Sequence, residues 1–369
     1  MTTGEVRDEL IARGLLDPAS ELAEQRYKAL TLLLDRGASL DDLQTNSHDL
    51  GYLASLIMNG GPATMTRAEL ASRCGVTIEA LTKLSLAAGL PDPGADVPSA
   101  NDDDVPLVET FVAAAEIFGE TAALQLARVV GTATARMADA VASTYRTSIA
   151  FHALETDASG LSMVEANLEL EALLPLFMSA VQQLVRRHVA LSTRPINPTD
   201  PRAYDATTLC VGFVDLVGST SLAQQLEPEV LNAALSEFDA AACDIVVETG
   251  GRVVKLIGDE IMFTHPLVDA AVTAAEQILA FVRRHHTLTL ARCGLAYGTV
   301  LTRDGDCFGP TVNLAARLAA AAASDEVLVD AATAAELHGT ELAAIREVTL
   351  KGIGGPVRVA TLRPPVSAG

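Results

Sequence analysis

The sequence predicts an α+β chain in two parts, an all-helical first half and a second half that mixes strands with helices. Apolar residues recur at three- and four-residue intervals through the first half, whereas strand-like apolar runs alternate with helical patterns later in the chain. The 369 residues are enough for two domains, and a hydrophobic content of 49% is ample for two cores. We therefore expect a helical domain over residues 1–192 and a mixed domain over residues 207–369.

The first half contains three long stretches with helical spacing, at residues 21–34, 107–118 and 121–145. The segment 91–104 is rich in Pro and Asp, which predicts a solvated loop. A long amphipathic pattern over residues 163–191 closes this half. Prolines then cluster within residues 193–202 and predict a stiff linker over residues 193–206, because proline cannot continue a helix.

The second half follows the order β-α-β-β-α-β, with additional elements. The predicted strands cover residues 207–216, 252–263 as a hairpin turning at Gly258-Asp259, 289–302, 327–329, 344–350 and 356–362. The predicted helices cover residues 229–249, 268–285 and 311–322. This order predicts a mainly antiparallel sheet faced by helices, of the ferredoxin-like kind.

Composition and charge exclude several classes of protein. The net charge of −21 and the pI near 4.6 argue against broad contact with a nucleic-acid backbone or an anionic membrane. The five cysteines are scattered without a CxxC pair, which predicts neither a disulfide framework nor a zinc site. The N-terminus is polar and acidic, and no uninterrupted apolar run approaches about 18 residues. We expect a cytoplasmic protein with no membrane span and no nucleic-acid partner.

Two segments of the second half have the residues of a metal–nucleotide site. Asp215 ends an apolar strand and is followed by the small-residue turn Gly218, Ser219 and Thr220, where a helical pattern starts. A carboxylate at a strand end can bind a hard cation, and backbone N–H groups at such a turn can bind phosphate. Asp259 supplies a second carboxylate at the predicted hairpin turn.

A third motif, residues 306–317, predicts a helix that starts near Pro310. Asn313 and Arg317 are four residues apart on it and therefore share one face. An amide and a guanidinium on the same face can bind a ribose and a polyphosphate.

These three motifs, in this order, resemble those of the class III adenylyl cyclases, and the resemblance covers residues 207–363. It implies two Mg²⁺ or Mn²⁺ ions per active site, bound by Asp215 and Asp259 with the backbone carbonyl of Leu216. It also implies that Lys255 and Asp306 read the adenine of ATP.

The same resemblance gives further roles. Asn313 would orient the ribose and Arg317 would stabilise the transition state, while Arg292 and Lys351 would lie near the phosphates. In this family the metal aspartates come from one chain, and the adenine-reading pair, the asparagine and the arginine come from the other. A homodimer of this chain would then contain two complete sites.

The implied reaction is attack of the ribose 3′-oxygen on the α-phosphate, which yields 3′,5′-cyclic AMP and pyrophosphate. A lysine donor beside an aspartate fits adenine, which presents a hydrogen-bond acceptor at N1 and a donor at its exocyclic amine. Guanine presents the opposite pattern at these two positions. A buried polar group left unpaired by the wrong base costs ~1–3 kcal/mol, so Lys255 and Asp306 favour ATP over GTP. Two alternatives stay open: a guanylyl cyclase, and a catalytically silent nucleotide-sensing dimer.

The helical half resembles the regulatory domain of pH-sensitive actinobacterial cyclases, which implies autoinhibition. A pH switch needs groups that titrate near neutrality, and the candidates are His48, His152 and His188. Residues 66–81 also resemble a helix-turn-helix with Gly75 at the turn. DNA binding is disfavoured, because the arginines of this segment are matched by glutamates in a very acidic chain.

Overall fold

A computed structural model describes residues 2–58, 63–150, 157–192, 206–338 and 342–362. The chain divides into two compact units, Met1–Thr193 and Arg194–Gly369. In the residues described, the first unit is helical apart from one small sheet, and the second is a mixed sheet with helices, which confirms the predicted fold class.

Helices dominate the described part of the first unit. They are α1 (Thr3–Ala12), α2 (Ala23–Asp35), α3 (Leu40–Thr45), α4 (Leu50–Met58), α5 (Arg67–Arg73), α6 (Ile78–Ala87), α7 (Asp104–Phe118), α8 (Glu120–Tyr145), which continues into a π-helical turn (Arg146–Ala150), and α9 (Leu161–Ser192). Two short strands, β1 (Met65–Thr66) and β2 (Pro98–Ala100), pair antiparallel. The second strand lies in the segment for which the sequence predicts only a solvated loop.

Leucine packing holds the first unit together. One core, which includes Leu10, Leu30 and Leu33, joins the first helices to the start of α9 at Val164. A smaller core joins α5, α6, β2 and α7. Several helices begin at a side-chain cap, and Thr66 forms a reciprocal capping box with Glu69 that satisfies backbone donors at the start of α5.

Helix α9 is buried only near its start. Asn167 is 2% exposed and donates from Nδ2 to the Tyr145 hydroxyl at 2.6 Å. Further along, large apolar side chains are exposed, namely Leu173, Leu174, Leu176, Phe177, Met178, Leu184, Val185, Val189 and Leu191. Among the described residues, α9 alone is long and apolar enough to cross a membrane by length and composition, although the sequence predicts no such span. Helices of soluble proteins meet the same criterion, so this finding alone is weak support for a span.

In its described ranges, the second unit is built on one sheet. Its strands are β3 (Ala206–Val217), β4 (Arg252–Ile257), β5 (Glu260–His265), β6 (Leu290–Arg303), β7 (Asp306–Phe308), β8 (Val327–Asp330), β9 (Leu342–Thr349) and β10 (Pro356–Leu362). Its helices are α10 (Ser219–Gln225), α11 (Pro228–Glu248), α12 (Val268–Arg284), α13 (Pro310–Ala321) and α14 (Ala331–Ala335).

The strand order is β4-β5-β3-β6-β8-β10-β9, with β7 paired to β6. All described pairs in this sheet are antiparallel except β6 with β8, as the sequence predicts for a mainly antiparallel sheet. One face of the sheet packs against α11 and α12 around Phe238 and Ile278, and the other packs against α13 around Leu318.

Helix α13 lies unusually close to the sheet because β6 has a glycine beneath it. A Cβ on Gly294 would lie 2.1 Å from the backbone nitrogen of Ala319 and 2.5 Å from the carbonyl oxygen of Ala315. Real Cβ atoms do not approach backbone so closely, so only glycine fits here. This contact fixes the helix on which Asn313 and Arg317 lie.

Candidate active site

Of the two aspartates that the sequence predicts as metal ligands, Asp215 lies near the end of a strand and Asp259 lies in a neighbouring turn. Asp215 stands near the end of β3, directly opposite Glu260 at the start of β5. Asp259 lies in the tight turn between β4 and β5, where Gly258 has a positive φ of 67°. The Leu216 N–H donates to the Asp259 carbonyl oxygen at 3.3 Å, which ties the end of β3 to this turn.

Glu260 adds a third carboxylate that the sequence interpretation missed. Cross-strand partners in an antiparallel pair share a face of the sheet, so the Glu260 and Asp215 side chains emerge on the same side. Burial raises the pKa of Glu260, and the negative charges of Asp215 and Asp259 raise it further, against a smaller opposing effect of Arg292. The signal was available, since Glu260 follows Asp259 directly at a predicted hairpin.

Arg292, predicted to lie near the phosphates, contacts Asp215 in the structure, and its phosphate role stays a prediction. It stands opposite Asp215 on β6, and its Nε and Nη2 atoms donate to the same oxygen, Oδ2, at 2.8 and 2.6 Å. Its Nη1 atom donates to the carbonyl oxygen of Ala320 in α13 at 3.0 Å. Glu260, Asp215 and Arg292 thus form one row across three strands.

Lys255 and Asp306, predicted to read the base, are hydrogen-bonded to each other. The Lys255 Nζ atom lies 2.7 Å from Oδ2 of Asp306, and Oδ1 of Asp306 accepts from the Cys307 N–H at 2.7 Å. Both side chains are about one-third exposed, at 35% and 30%, which leaves them accessible to a ligand.

A β-bulge in β4 sets the direction of Lys255. Val253 pairs with Phe263 and Lys255 pairs with Met262, so Val254 is the additional residue. Met262 belongs to the core beneath α13, and Lys255 therefore emerges on the α13 side of the sheet. Asp215 follows Phe213 by two residues on β3, and Phe213 is in that same core, so Lys255 and Asp215 emerge on the same face of the sheet.

Asn313 and Arg317 lie one turn apart on α13, as predicted, and both side chains are exposed. The opposite side of the helix, with Ala315, Leu318 and Ala319, is buried on the sheet. Among the residues that the structure describes, none forms a hydrogen bond or an ion pair with the Arg317 guanidinium. The α13 face with Asn313 and Arg317 is therefore available to another molecule.

The remaining predicted residues lie in turns. Gly218 has a positive φ of 79° and precedes α10, and its carbonyl oxygen accepts from the N–H groups of Ser221 and Leu222. Ser219 and Thr220 form the first turn of α10. Lys351 is exposed in the turn between β9 and β10. A phosphate role for these residues remains a prediction.

Comparison with known proteins identifies the family. Residues 202–362 match the family described as the adenylate and guanylate cyclase catalytic domain, and residues 8–191 match the adenylate cyclase regulatory domain. An adenylate cyclase of Streptomyces coelicolor is 34% identical over 321 residues, which cover 85% of this chain and 82% of that protein. The chain belongs to the adenylate cyclase family. The resemblance inferred from the sequence motifs is thereby confirmed.

Other known proteins are also similar to this cyclase. A pH-sensitive adenylate cyclase of Mycobacterium tuberculosis is 26% identical over 362 residues, which cover 92% of this chain and 88% of that protein. Among solved structures, the adenylyl cyclase CyaB from P. aeruginosa has a TM-score of 0.37 at 24% identity and covers 43% of this chain and 94% of that chain.

The donor set of the cyclase fits a cation shared with a substrate. Within the described residues, no group of three or more His, Cys, Asp or Glu side chains is arranged to hold a metal ion. Mg²⁺ is ordinarily bound through one or two carboxylates together with substrate phosphates and water, because it gives up its water reluctantly. The carboxylates of Asp215 and Asp259 and the Leu216 carbonyl offer the hard oxygen donors that such a cation prefers, and their role as its ligands stays a prediction.

The candidate pH-sensing histidines of this cyclase occupy different surroundings. His48 and His188 are exposed in the N-terminal unit, and His152 lies outside the described residues. His265, which the sequence interpretation passed over, is 2% exposed. Its Nδ1 atom accepts from the Leu267 N–H and its Nε2 atom lies 2.8 Å from the Thr249 carbonyl oxygen, so this side chain has a structural role at the end of β5.

Proposed function

We propose that this chain converts ATP to 3′,5′-cyclic AMP and pyrophosphate at the interface of a homodimer, with Mg²⁺ or Mn²⁺, under the control of its N-terminal unit. The observation that carries the proposal is the hydrogen bond from the Leu216 N–H to the Asp259 carbonyl oxygen. This bond holds the turn that contains Asp259 beside the end of the strand that contains Asp215. Family membership and the order of the motifs support it further.

Two divalent cations would supply the main electrostatic chemistry, by lowering the pKa of the 3′-hydroxyl and neutralising the leaving pyrophosphate oxygens. Asp215 and Asp259 would bind and orient them, with the Leu216 carbonyl as a further ligand. In the reaction a bond forms between the 3′-oxygen and the α-phosphorus, the bond to the pyrophosphate oxygen breaks, and the hydroxyl proton leaves to solvent.

The base would be bound by Lys255 and Asp306. The Asp306 carboxylate already accepts a hydrogen bond at each oxygen, so it is an acceptor in this site, as the exocyclic amine of adenine requires. Lys255 would donate to N1 of adenine. The phosphates would lie along the Gly218 turn at the start of α10, because the first backbone N–H groups of a helix have no partner within it.

Asn313 and Arg317 would complete the site of the partner chain. Their side chains are exposed on the outer face of α13, which is where residues that act on another protomer's substrate must lie. Asn313 would orient the ribose, and Arg317 would stabilise negative charge on the α-phosphoryl oxygens in the transition state. A two-fold homodimer would then contain two equivalent sites.

The test of activity is Mn²⁺-dependent formation of cyclic AMP from ATP by the purified chain. We expect turnover in the wild type and loss of at least about a hundredfold in kcat on Asp215→Asn or Asp259→Asn, as expected when a ligand of a catalytic cation is removed. Asp244→Asn, which changes an exposed aspartate of α11, is the matched control and should retain full activity. Wild-type turnover in either site variant would refute the metal assignment.

The test of regulation compares the full chain with its catalytic unit. We propose that the N-terminal unit inhibits the catalytic unit in a pH-dependent way, with His48, His152 and His188 as the candidate titrating groups; its relatives include a pH-sensitive cyclase. Cyclase activity should be measured from pH 5 to pH 8.5 for both forms. Identical activities and pH profiles would refute this regulation and leave the catalytic proposal intact.

A further inference from the structure

A cationic side chain already neutralises Asp215, the first of the two proposed cation ligands. Arg292 directs both Nε and Nη2 to a single oxygen of Asp215, Oδ2. Within the described part of the chain, the other oxygen, Oδ1, accepts no hydrogen bond. One oxygen of the Asp215 carboxylate is therefore bound by Arg292, and the other is available to a ligand.

Arg292 is also held from its far side. Its Nη1 atom donates to the Ala320 carbonyl oxygen, near the C-terminal end of α13, where helix carbonyls attract positive charge. β-Sheet register places Arg292 directly opposite Asp215, so the contact follows from backbone pairing and not from a chance rotamer. The Arg292 and Asp215 side chains are 30% and 21% exposed, so the pair is largely buried but still reaches solvent.

We propose that Arg292 is the internal counter-ion of Asp215 when no nucleotide is bound, and that it makes cation binding depend on the nucleotide. This inference rests on the proposed function, because it takes Asp215 to be a cation ligand. A divalent cation at Asp215 would place two positive charges beside a guanidinium that already shares the same carboxylate. Repulsion between like charges therefore weakens the binding of a cation on its own.

A nucleotide removes this conflict. Its phosphates are negatively charged, and the planar N–H groups of Arg292 can donate hydrogen bonds to them. The arginine can then release Oδ2 of Asp215, or share it, as the cation binds. Cation and nucleotide then bind with positive coupling, and linkage requires that each strengthens the other by the same factor. The chain would thereby avoid filling its site with cation in the absence of substrate.

The test measures cation affinity directly, without turnover. Free Mn²⁺ is titrated by electron paramagnetic resonance into the full-length chain with no nucleotide present. We expect Arg292→Gln to bind Mn²⁺ about tenfold more tightly than the wild type, within the range of ordinary coupling between sites. We also expect a non-hydrolysable ATP analogue to strengthen Mn²⁺ binding less in Arg292→Gln than in the wild type.

Arg283→Gln is the matched control. Arg283 forms a similarly half-exposed pair with Asp325, with Nη1 2.7 Å from Oδ1, at the end of α12. Its loss should leave Mn²⁺ affinity unchanged. Unchanged or weaker Mn²⁺ binding by Arg292→Gln would overturn the proposal, and weaker binding would mean that the arginine only positions the carboxylate.

Two further variants keep the outcome decisive. If Arg292→Gln does not fold by circular dichroism, Arg292→Lys replaces it, and we expect the same direction with a smaller factor because the charge remains while the double contact is lost. An unchanged affinity in that variant overturns the counter-ion role. Asp215→Asn should lose Mn²⁺ binding; retained binding there would refute the proposed cation site itself, which separates the failure of the two proposals.

Discussion

Lys255 and Asp306 are joined by a 2.7 Å hydrogen bond although they are 51 residues apart in the chain. The bond connects β4, at the edge of the sheet, with β7, which pairs with the far end of β6. A second contact reinforces this connection, from Nη2 of Arg252 to the carbonyl oxygen of Gly305 at 2.9 Å. The candidate base-reading pair is therefore pre-organised before any nucleotide arrives.

We predict that this pair sets the preference for ATP. Lys255→Gln and Asp306→Asn should each lower kcat/KM for ATP about ten- to a hundredfold, because each leaves a polar group of adenine without its partner. The kcat/KM for GTP should fall less, and turnover with the two nucleotides in competition measures this. Arg358→Gln, which removes an exposed charge from β10, is the control. Equal losses for both nucleotides would contradict base reading.

We predict that two inactive variants restore activity when they are co-expressed. Asp215→Asn damages the cation side of a site and Arg317→Ala damages the partner side, so a mixed dimer keeps one intact site. Random pairing gives about a quarter of wild-type activity, since half of the dimers are mixed and each has one working site of two. Co-expression of Asp215→Asn with Asp259→Asn should give no recovery. Recovery in that control, or none in the first pair, would contradict a shared site.

We predict that the close packing of α13 on β6 tolerates no side chain at residue 294. Gly294→Ala should lower the free energy of unfolding by about 1–3 kcal/mol, because its Cβ would press on the helix backbone and force a shift. Urea unfolding followed by circular dichroism measures this. Gly354→Ala is the control, since a Cβ there meets nothing within 4 Å and the change should stay within about 0.5 kcal/mol. Equal stability of the two variants would contradict the packing described for β6.

We predict a pH-dependent effect of Glu260 on the stability of the metal-free protein. Burial and the neighbouring Asp215 and Asp259 raise the pKa of Glu260, so folding favours the protonated form. The associated stability is present below the ordinary glutamate pKa and is lost as the pH rises through the raised value.

Glu260→Gln imitates the protonated form and should therefore raise the melting temperature at pH 7. The expected gain is on the order of 2 °C, kept small because the side chain is partly exposed. The gain should vanish near pH 4, where the wild-type side chain is also protonated. Glu248→Gln, at an exposed position near the end of α11, should show no such pH dependence. A constant difference at all pH values would contradict the assigned cause.

Features fixed by local sequence were predictable. The apolar run before Asp215, the turn at Gly258-Asp259 and the spacing of Asn313 and Arg317 each specify their surroundings within a few residues. The two strands β1 and β2 were missed, because strands of two and three residues leave no periodic signal. Their pairing depends on the packing of the helical unit.

Contacts between distant strands were not predictable in the same way. Arg292 and Asp215 are 77 residues apart, and their contact depends on the register of β3 with β6. A shift of one residue in that register would move each side chain to the other face of the sheet. The resemblance to a family suggested a phosphate role for Arg292, and the aspartate contact emerged only from the folded register.

The bulge at Val254 determines the face of the sheet on which Lys255 emerges. If β4 paired regularly beyond Val253, Val254 would oppose Met262, and Lys255 would oppose Ile261 and emerge on the α11 and α12 side of the sheet. A replacement at Val254 that removed the bulge would thus carry the Lys255 ammonium group away from Asp306. The contact between Lys255 and Asp306 can therefore be altered through the backbone of β4 as well as through replacement of either side chain.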